Sequence, residues 1–333
     1  MAKRRIIPLF IPHAGCPCAC VFCNQVKITG LQTPVTPEEV TQTIRESLQW
    51  AGRGCELAFY GGSFTALPEA IQNGLLAAAQ PFRAQGQVAD IRVSTRPDAI
   101  DRATIRRLRD YGVTTVELGC QSMDDQVLRL SGRGHTAEDI RRASELLTQE
   151  GMPQVLQMMT GLPGDDGQAS LQTARQLAAL RPQGVRIYPT VVLRGTELER
   201  RMQRGEYMPQ TVEQAVNLCA ELYEIFLAEQ IPVIRLGLNP TEELSGGEAV
   251  AGAYDPALGE RVLSRMYLRR ARALLRENET GKAVAFSVDP RRISVMVGQR
   301  RENILALQRE FGLADIKVLP EGDSLWEISL KIR

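Results

Sequence analysis

Between residues 56 and 192, short β-rich apolar runs alternate with stretches whose apolar positions recur every three or four residues. The runs are 56–62 (ELAFYGG), 91–98 (IRVSTRPD), 114–122 (TTVELGCQS), 155–161 (VLQMMTG) and 185–192 (VRIYPTVV). The intervening periodicity predicts helices over 68–84, 101–111, 136–150 and 168–180, and one beginning at Thr36. There Thr-Pro-Glu-Glu supplies a capping box, with Glu39 reaching back to the cap amide and proline at the first helical position. Strand and helix alternating at this length predict parallel βαβ units, because parallel neighbours require a crossover and the crossing helix covers the sheet. The fold class is α/β. An open doubly wound sheet and a complete or partial barrel share this rhythm, and both collect ligands at the carboxyl ends of the strands. Those ends carry Gly61-Gly62-Ser63, Arg96-Pro97-Asp98, Cys120-Gln121-Ser122, Gly161-Leu162-Pro163-Gly164 and Tyr188-Pro189-Thr190.

From Thr211 the pattern changes. A long helix (TVEQAVNLCAELYEIFLAEQ) and one more strand (PVIRLGL) precede a Gly/Pro/acid-rich stretch, 239–259, which reads as a surface loop. A basic helix over 263–276 follows, then strands at 283–288 and 293–297, a helix at 301–311, and strands near 316–319 and 325–332. This divides the chain into a core over 1–240, a linker with the basic helix over 241–280, and a small α+β domain over 281–333.

With 44% hydrophobic and 24% charged residues in 333, neither a disordered nor a collagen-like chain is in question. No apolar run reaches the roughly 18 residues of a membrane span, and the apolar start is too short for a signal peptide. A cytoplasmic protein without a membrane partner is expected. The net charge of +1 hides an asymmetry: residues 261–333 hold 15 Lys and Arg against 9 Asp and Glu. A polyanion partner is expected at that end, where the arginines of 261–276 cover more than one helix face.

Of seven cysteines, Cys16, Cys18, Cys20 and Cys23 fall within eight positions, too crowded for a disulfide scaffold. Cys16, Cys20 and Cys23 stand as C-x3-C-x2-C in a loop behind a glycine, a spacing that lets three thiolates converge on one centre. A four-iron cubane held by three cysteines leaves one iron open to a reactant. Zinc on all four thiols, and no metal at all, are the competing readings. Zinc sites usually draw ligand pairs from two separated loops, and no second pair follows here.

The loop GCPCACVFCNQ followed by FYGGSFTALP resembles the radical S-adenosylmethionine (SAM) superfamily. The later segments STRPDAI, VELGCQSMDDQVLRLSGRGHT, QMMTGLPGD and RIYPTVVLRGTELE are similar, in order and spacing, to the radical SAM domain of the Elongator catalytic subunit, and more distantly to oxygen-independent coproporphyrinogen III oxidases. The resemblance covers about residues 5 to 240. It implies a partial (β/α) barrel, a [4Fe–4S] cluster on Cys16, Cys20 and Cys23, and SAM on the open iron. It implies SAM contacts from Phe22, Gly61, Gly62, Gln121 and Arg133, with Ser63 beside the glycine pair. Ser94 and Gln157 stand where relatives carry acids. Cys120, at a strand end expected to face the cavity, and Tyr188 in IYPT are the catalytic candidates. The implied partners are RNA and a reducing electron donor such as flavodoxin or ferredoxin. The Elongator subunit acts on tRNA and joins its radical domain to an acetyltransferase domain; none is expected in the residues after 240, so its carboxymethylation is not carried over.

The tail adds its own signal. Residues 293–307, ISVMVGQRRENILAL, order a strand, a glycine with basic residues and an apolar-striped helix as KH RNA-binding modules do, with Gly298, Arg300 and Arg301 as the RNA contacts. Arg301 replaces the second glycine of the usual GxxG loop. The expected function is a radical SAM enzyme of tRNA or rRNA nucleoside modification. A porphyrinogen-like small-molecule oxidase and a noncatalytic iron–sulfur RNA-binding or assembly factor are the alternatives.

Overall fold

The computed structural model describes residues 4–11, 15–24, 35–242, 244–278 and 281–332. Seven parallel strands form one sheet: β1 (Ile6–Phe10), β2 (Cys55–Tyr60), β3 (Val88–Thr95), β4 (Val113–Gln121), β5 (Gln154–Thr160), β6 (Gly184–Pro189) and, beyond β7 (Val191–Leu193), β8 (Val233–Leu236). Its order is β1-β2-β3-β4-β5-β6-β8, every neighbour parallel. The crossover helices are α1 (Pro37–Ala51), α2 (Glu69–Ala84), α3 (Arg102–Asp110), α4 (Asp125–Leu130), α5 (Ala137–Gln149) and α6 (Gln168–Ala179). The capping box expected at Thr36 is formed: Glu39 N donates to Thr36 Oγ1 at 3.2 Å and Thr36 N donates to Glu39 Oε2 at 2.7 Å.

Alternate strand residues face two environments. Ile91, Val93, Leu156, Met158, Val185 and Ile187 are buried, whereas Arg92, Ser94, Gly119, Gln157, Met159, Arg186 and Tyr188 are partly exposed. The sheet curls around the second set: Arg186 Nη2 on β6 donates to Tyr60 Oη on β2 at 2.8 Å, although three strands lie between them. A flat sheet would hold those strands about 19 Å apart, four steps of roughly 4.8 Å. The architecture is the partial barrel expected.

Two elements depart from the sequence pattern. The run over 185–192 breaks at Thr190, whose backbone and side chain both donate to Thr160 O, and β7 then leaves the sheet. It pairs antiparallel with β9 (Ala249–Gly252), a strand inside the segment read as loop.

The chain divides into two compact units, 1–211 with 225–254, and 212–224 with 255–333. The expected boundary at 240 and the linker over 241–280 do not coincide with this division. The basic helix, α9 (Leu258–Glu277), belongs to the second unit's core, where Tyr267, Leu268, Ala271 and Leu275 pack with Val284, Phe286, Met296, Ile304 and Leu307. In this unit β10 (Ala283–Val288) is flanked by β11 (Asp315–Leu319), parallel, and β12 (Ile328–Ile332), antiparallel. The strand expected at 293–297 is instead a short helix, α10 (Ile293–Val297). Asp289 accepts from Arg291 N and opens a turn at Pro290, so the chain winds before the β-branched residues, and burial of Val295 and Met296 overrides their strand preference. A second helix, α11 (Glu302–Phe311), follows the turn at 298–301.

The arginines of α9 are engaged within their own unit, which corrects the expectation that they are offered to a polyanion. Helix α8 (Val212–Ala228) presents Glu213, Asn217, Glu221 and Glu224, four- and three-residue spacings that meet Arg261, Arg265, Arg269 and Arg270. Arg272 and Arg276 pair with Glu310 of α11 at 2.7 and 3.1 Å. Among the described residues no helix is long and apolar enough to cross a membrane.

Candidate functional site

The cysteine loop follows β1 and lies against the carboxyl ends of the strands. Gly15 has φ 72°, and a Cβ there would stand 2.2 Å from the Ser63 carbonyl behind β2. Val21 N donates to Ser131 O at 3.1 Å, Leu198 N of α7 (Glu197–Gln203) donates to Val21 O at 2.8 Å, and Cys23 N donates to Cys20 O at 3.0 Å. Val21 is buried with Val192 and Leu198, with Phe22, Met202 and Tyr207 packed around them. The segment Gly132-Arg133-Gly134 closes over the loop: a Cβ on Gly134, at φ 72°, would meet Cys18 Sγ at 2.5 Å.

Arg133 bridges loop and sheet, donating through Nη1 to Cys20 Sγ at 3.3 Å and through Nη2 to Gly119 O at 2.7 Å. Arg96 is held by both carboxylate oxygens of Asp98 at 2.9 Å each. The Cys16 thiol is pushed above its usual range by desolvation and by Cys20, against the pull of Arg133 and Arg96. Among the described residues no three His, Cys, Asp or Glu side chains stand at metal-holding spacing, so the loop carries its sulfurs without bringing them to one point. The donor set is nonetheless that of an iron–sulfur cluster: soft thiols crowded in one loop, with a guanidinium on one sulfur to balance thiolate charge. Ordering such ligands is coupled to binding the metal itself.

The sequence-predicted contact residues gather on neighbouring strand ends. Gly61 has φ 87° and leads into Ser63, whose buried hydroxyl hydrogen-bonds Thr95 Oγ1 and accepts from Arg96 N, so Ser63 ties β2 to β3. Gln121 sits at φ 66°, where the β4–β5 register shifts, and accepts from Gln157 Nε2 at 3.2 Å. Gly119 pairs with Gln157, and a Cβ on it would crowd Gln121 Nε2 at 2.9 Å and Arg133 Nη2 at 3.3 Å. Ser94 pairs with Glu117.

Cys120 does not face the cavity as expected. Strand alternation turns Gly119 to the concave side and Cys120 away from it, wholly buried, and burial pushes its thiol up to about 12. His135 is buried with its Nε2 3.2 Å from the Cys120 carbonyl; desolvation and then Arg133 hold its pKa down at about 4, so it is neutral.

Tyr188 belongs to a network that the sequence reading missed. Arg186 sits at its centre: Nε lies 3.0 Å from Glu117 Oε2, Nη1 donates to Tyr188 Oη at 3.2 Å, Nη2 donates to Tyr60 Oη, and the guanidinium stacks 5.1 Å from the Tyr60 ring. Arg92 Nε pairs with Glu56 at 2.6 Å, and its Nη1 lies 3.7 Å from Glu117. Burial raises the Glu117 pKa while Arg186 and Arg92 pull it down. For Arg186, desolvation opposes the charge but Glu117 and the phenols outweigh it. The available signal was the alternation: Arg92, Glu117 and Arg186 are charges at concave-facing positions inside otherwise apolar runs.

In the second unit, Gly298 (φ 75°), Arg300 (φ 49°) and Arg301 (φ 65°) turn the chain between α10 and α11. Arg300 and Arg301 are exposed. Buried Asn303 anchors the turn, its Nδ2 facing Ser264 Oγ at 2.9 Å and the carbonyls of Ser264, Val295 and Met296 at 3.1–3.2 Å.

Known proteins share parts of this sequence and this fold. The tRNA uridine(34) acetyltransferase of Dehalococcoides mccartyi is 35% identical over 142 residues, 42% of this chain and 31% of that protein. This chain therefore matches only about a third of that relative's length. The archaeal Elp3 of Methanocaldococcus infernus superposes with a TM-score of 0.64 at 22% identity, covering 81% of this chain and 64% of that one. The coproporphyrinogen III oxidase of Escherichia coli, described as a radical SAM enzyme, gives 0.52 at 20% identity, over 68% and 53%. At those identities the two structures speak for the fold. The radical SAM C-terminal domain matches residues 182–268. The radical SAM superfamily pattern itself runs over residues 10–177, half of the chain, from the end of β1 into α6; this chain belongs to the radical SAM superfamily of enzymes.

Proposed function

We propose that this chain modifies nucleosides in RNA, tRNA or rRNA, by hydrogen abstraction. Family membership implies a [4Fe–4S] cluster and SAM, and Cys16, Cys20 and Cys23 are the residues that would hold the cluster. When bound, these groups supply one-electron cleavage of a sulfonium and a carbon radical able to take hydrogen from substrate. The protein's own residues orient and enclose. Gly61 and Gly62 let backbone carbonyls and amides approach a ligand without side-chain interference, and Arg133 offers a guanidinium suited to a carboxylate. Phe22, half-buried beside Val192 and Leu198, would keep water from the adenine side. An external reductant of the flavodoxin or ferredoxin type supplies the electron.

The observation that carries this reading is the pinning of the three-cysteine loop across the open ends of the parallel strands, with Arg133 joining the loop to Gly119. RNA as substrate is supported by the tRNA-modifying relative and by the exposed arginine pair at 300–301. Gly298, Arg300 and Arg301 would meet the phosphate backbone.

The test is anaerobic reconstitution and reduction with SAM, reading 5′-deoxyadenosine with and without RNA from cells lacking the gene. Iron and sulfide in the protein, release stimulated by RNA, and a changed nucleoside by mass spectrometry are expected. A colourless protein that accepts no cluster ends the proposal. Release without RNA stimulation favours a small-molecule substrate, and an intact cluster without release favours a binding factor.

A further inference from the structure

Beyond the cluster loop, the concave face carries one cation that no carboxylate answers. We infer that Arg235, together with the Tyr188 phenol, forms a carboxylate-binding subsite that takes the terminal carboxylate of a small organic acid, a reactant distinct from SAM and from RNA. The subsite is defined by the sheet alone and does not rest on the RNA reading.

The inward-facing charges follow from the ladder, since paired positions on parallel strands point to one side. β1 brings Ile6, Pro8 and Phe10, and β5 brings Val155, Gln157 and Met159, all uncharged. β2 brings Glu56 and Tyr60, β3 brings Asp90 and Arg92, and β4 brings Glu117. β6 brings Arg186 and Tyr188, and β8 brings Arg235, in register with Arg186. Each inward acid has its arginine: Asp90 takes Arg4, Glu56 takes Arg92 at 2.6 Å, and Glu117 takes Arg186 at 3.0 Å with Arg92 at 3.7 Å. At the strand ends, Arg96 is matched by Asp98 and Arg133 lies on the Cys20 sulfur.

Arg235 remains. Among the described residues it makes no ion pair; its Nε donates to the Gly237 carbonyl at 3.1 Å and its Nη2 to Asn239 Oδ1, both neutral, so the Nη1 hydrogens are left for a ligand. It is partly exposed. Like charges side by side on neighbouring strands repel, and Glu117 compensates Arg186 alone.

The phenol supplies the second donor. Tyr188 Oη accepts from Arg186 Nη1 at 3.2 Å, and because a guanidinium has no acceptor, the phenol keeps its own O–H to give elsewhere. Among the described residues that O–H is donated to no acceptor. Burial raises the Tyr188 pKa against the pull of Arg186 and then of Arg235, so the phenol stays protonated at neutral pH with Arg235 in electrostatic reach.

Charge and shape decide the ligand. One surplus cation is matched by one negative charge. A neutral carbonyl leaves the surplus in place, and a phosphate monoester, near −2, overshoots it. A phosphodiester has the right charge but would have to bring both ester arms into a partly buried face. A terminal carboxylate ends in its charge, and its two oxygens suit one guanidinium and one O–H.

Ligand-observed NMR on the cluster-loaded full chain, without SAM or RNA, compares propionate with propionamide, which differ in charge and little in shape. Propionate should bind about tenfold more tightly, and Arg235→Gln should bring the two within about twofold. Should Arg235→Gln fail to fold, Tyr188→Phe decides, since it removes only the O–H, and it should weaken propionate binding at least about threefold. Undetectable or equal binding of the two probes, or an unchanged affinity in the folded variant, overturns the inference. So does displacement of propionate by one equivalent of SAM, which would give the carboxylate to the cofactor. Dimethyl phosphate binding as tightly as propionate overturns it too, in favour of an RNA backbone. A propionate preference that depends on Arg235, with no RNA-stimulated 5′-deoxyadenosine release, would uphold this subsite and count against the RNA reading alone.

Discussion

Arg186→Met removes the centre of the concave network while keeping most of its volume. Two hydrogen bonds to phenols are lost, about 1 kcal/mol each. The larger effect is on Glu117, 2% exposed, which loses the guanidinium 3.0 Å away and keeps Arg92 at 3.7 Å as its ion-pair partner, with the Ser94 hydroxyl beside it. Orphaning one member of a buried pair costs about 3–5 kcal/mol, and the remaining arginine puts this case near the lower end. A net loss of about 5 kcal/mol at pH 8 follows, or a fall in Tm of about 10–20 °C for a body of this size. The loss should depend on pH with a definite sign. Burial raises the Glu117 pKa in the folded state, and removing Arg186 takes away its strongest opposing influence. The folded variant therefore binds a proton more readily than its unfolded chain, and its deficit shrinks as pH falls. Glu117→Gln in the same background should recover about half of the loss. Thermal denaturation by circular dichroism at pH 8 and pH 5.5 measures all of this. A Tm change under 2 °C at pH 8, or a deficit that grows on acidification, would show that Arg186 and Glu117 are not coupled as the geometry requires.

Three further outcomes are expected. Gly134→Ala places a Cβ 2.5 Å from Cys18 Sγ at φ 72°, so it should cost about 1–2 kcal/mol and slow cluster uptake, read as iron per chain after reconstitution. His135, with its pKa held at about 4 in the folded state, leaves the unfolded chain binding an extra proton between about pH 6.5 and 4. Stability should fall by about 2 kcal/mol from pH 7 to 4.5, and His135→Gln should flatten that part of the urea-midpoint profile. Arg301→Gly relieves a left-handed arginine at φ 65°, which should raise stability by about 1 kcal/mol while lowering the salt slope of RNA binding by about one. A stability gain without any change in slope would remove Arg301 from the RNA surface.

Much of the site was legible because it is local in the chain. Three cysteines within eight residues, glycines at the ends of apolar runs and a capping box at Thr36 each express chemistry over a few consecutive positions. What sequence reasoning misjudged was decided by neighbours far along the chain. The arginines of α9 read as a polyanion surface because Glu213, Glu221, Glu224 and Glu310 are distant in sequence. Cys120 read as cavity-facing because its strand end was recognised but not which face it took. The run 293–297 read as a strand because its β-branched residues outweighed the turn signal at Asp289-Pro290.

The amino-acid order alone determined that parallel strands alternate with helices and that soft sulfur ligands lie at the strand ends, since hydrophobic period and residue type act within short windows. Tertiary structure decided that β2 and β6 face one another. Only the curvature of the sheet, the sum of small twists between strands, brings Tyr60 and Glu117 onto Arg186, and no window of sequence contains all three.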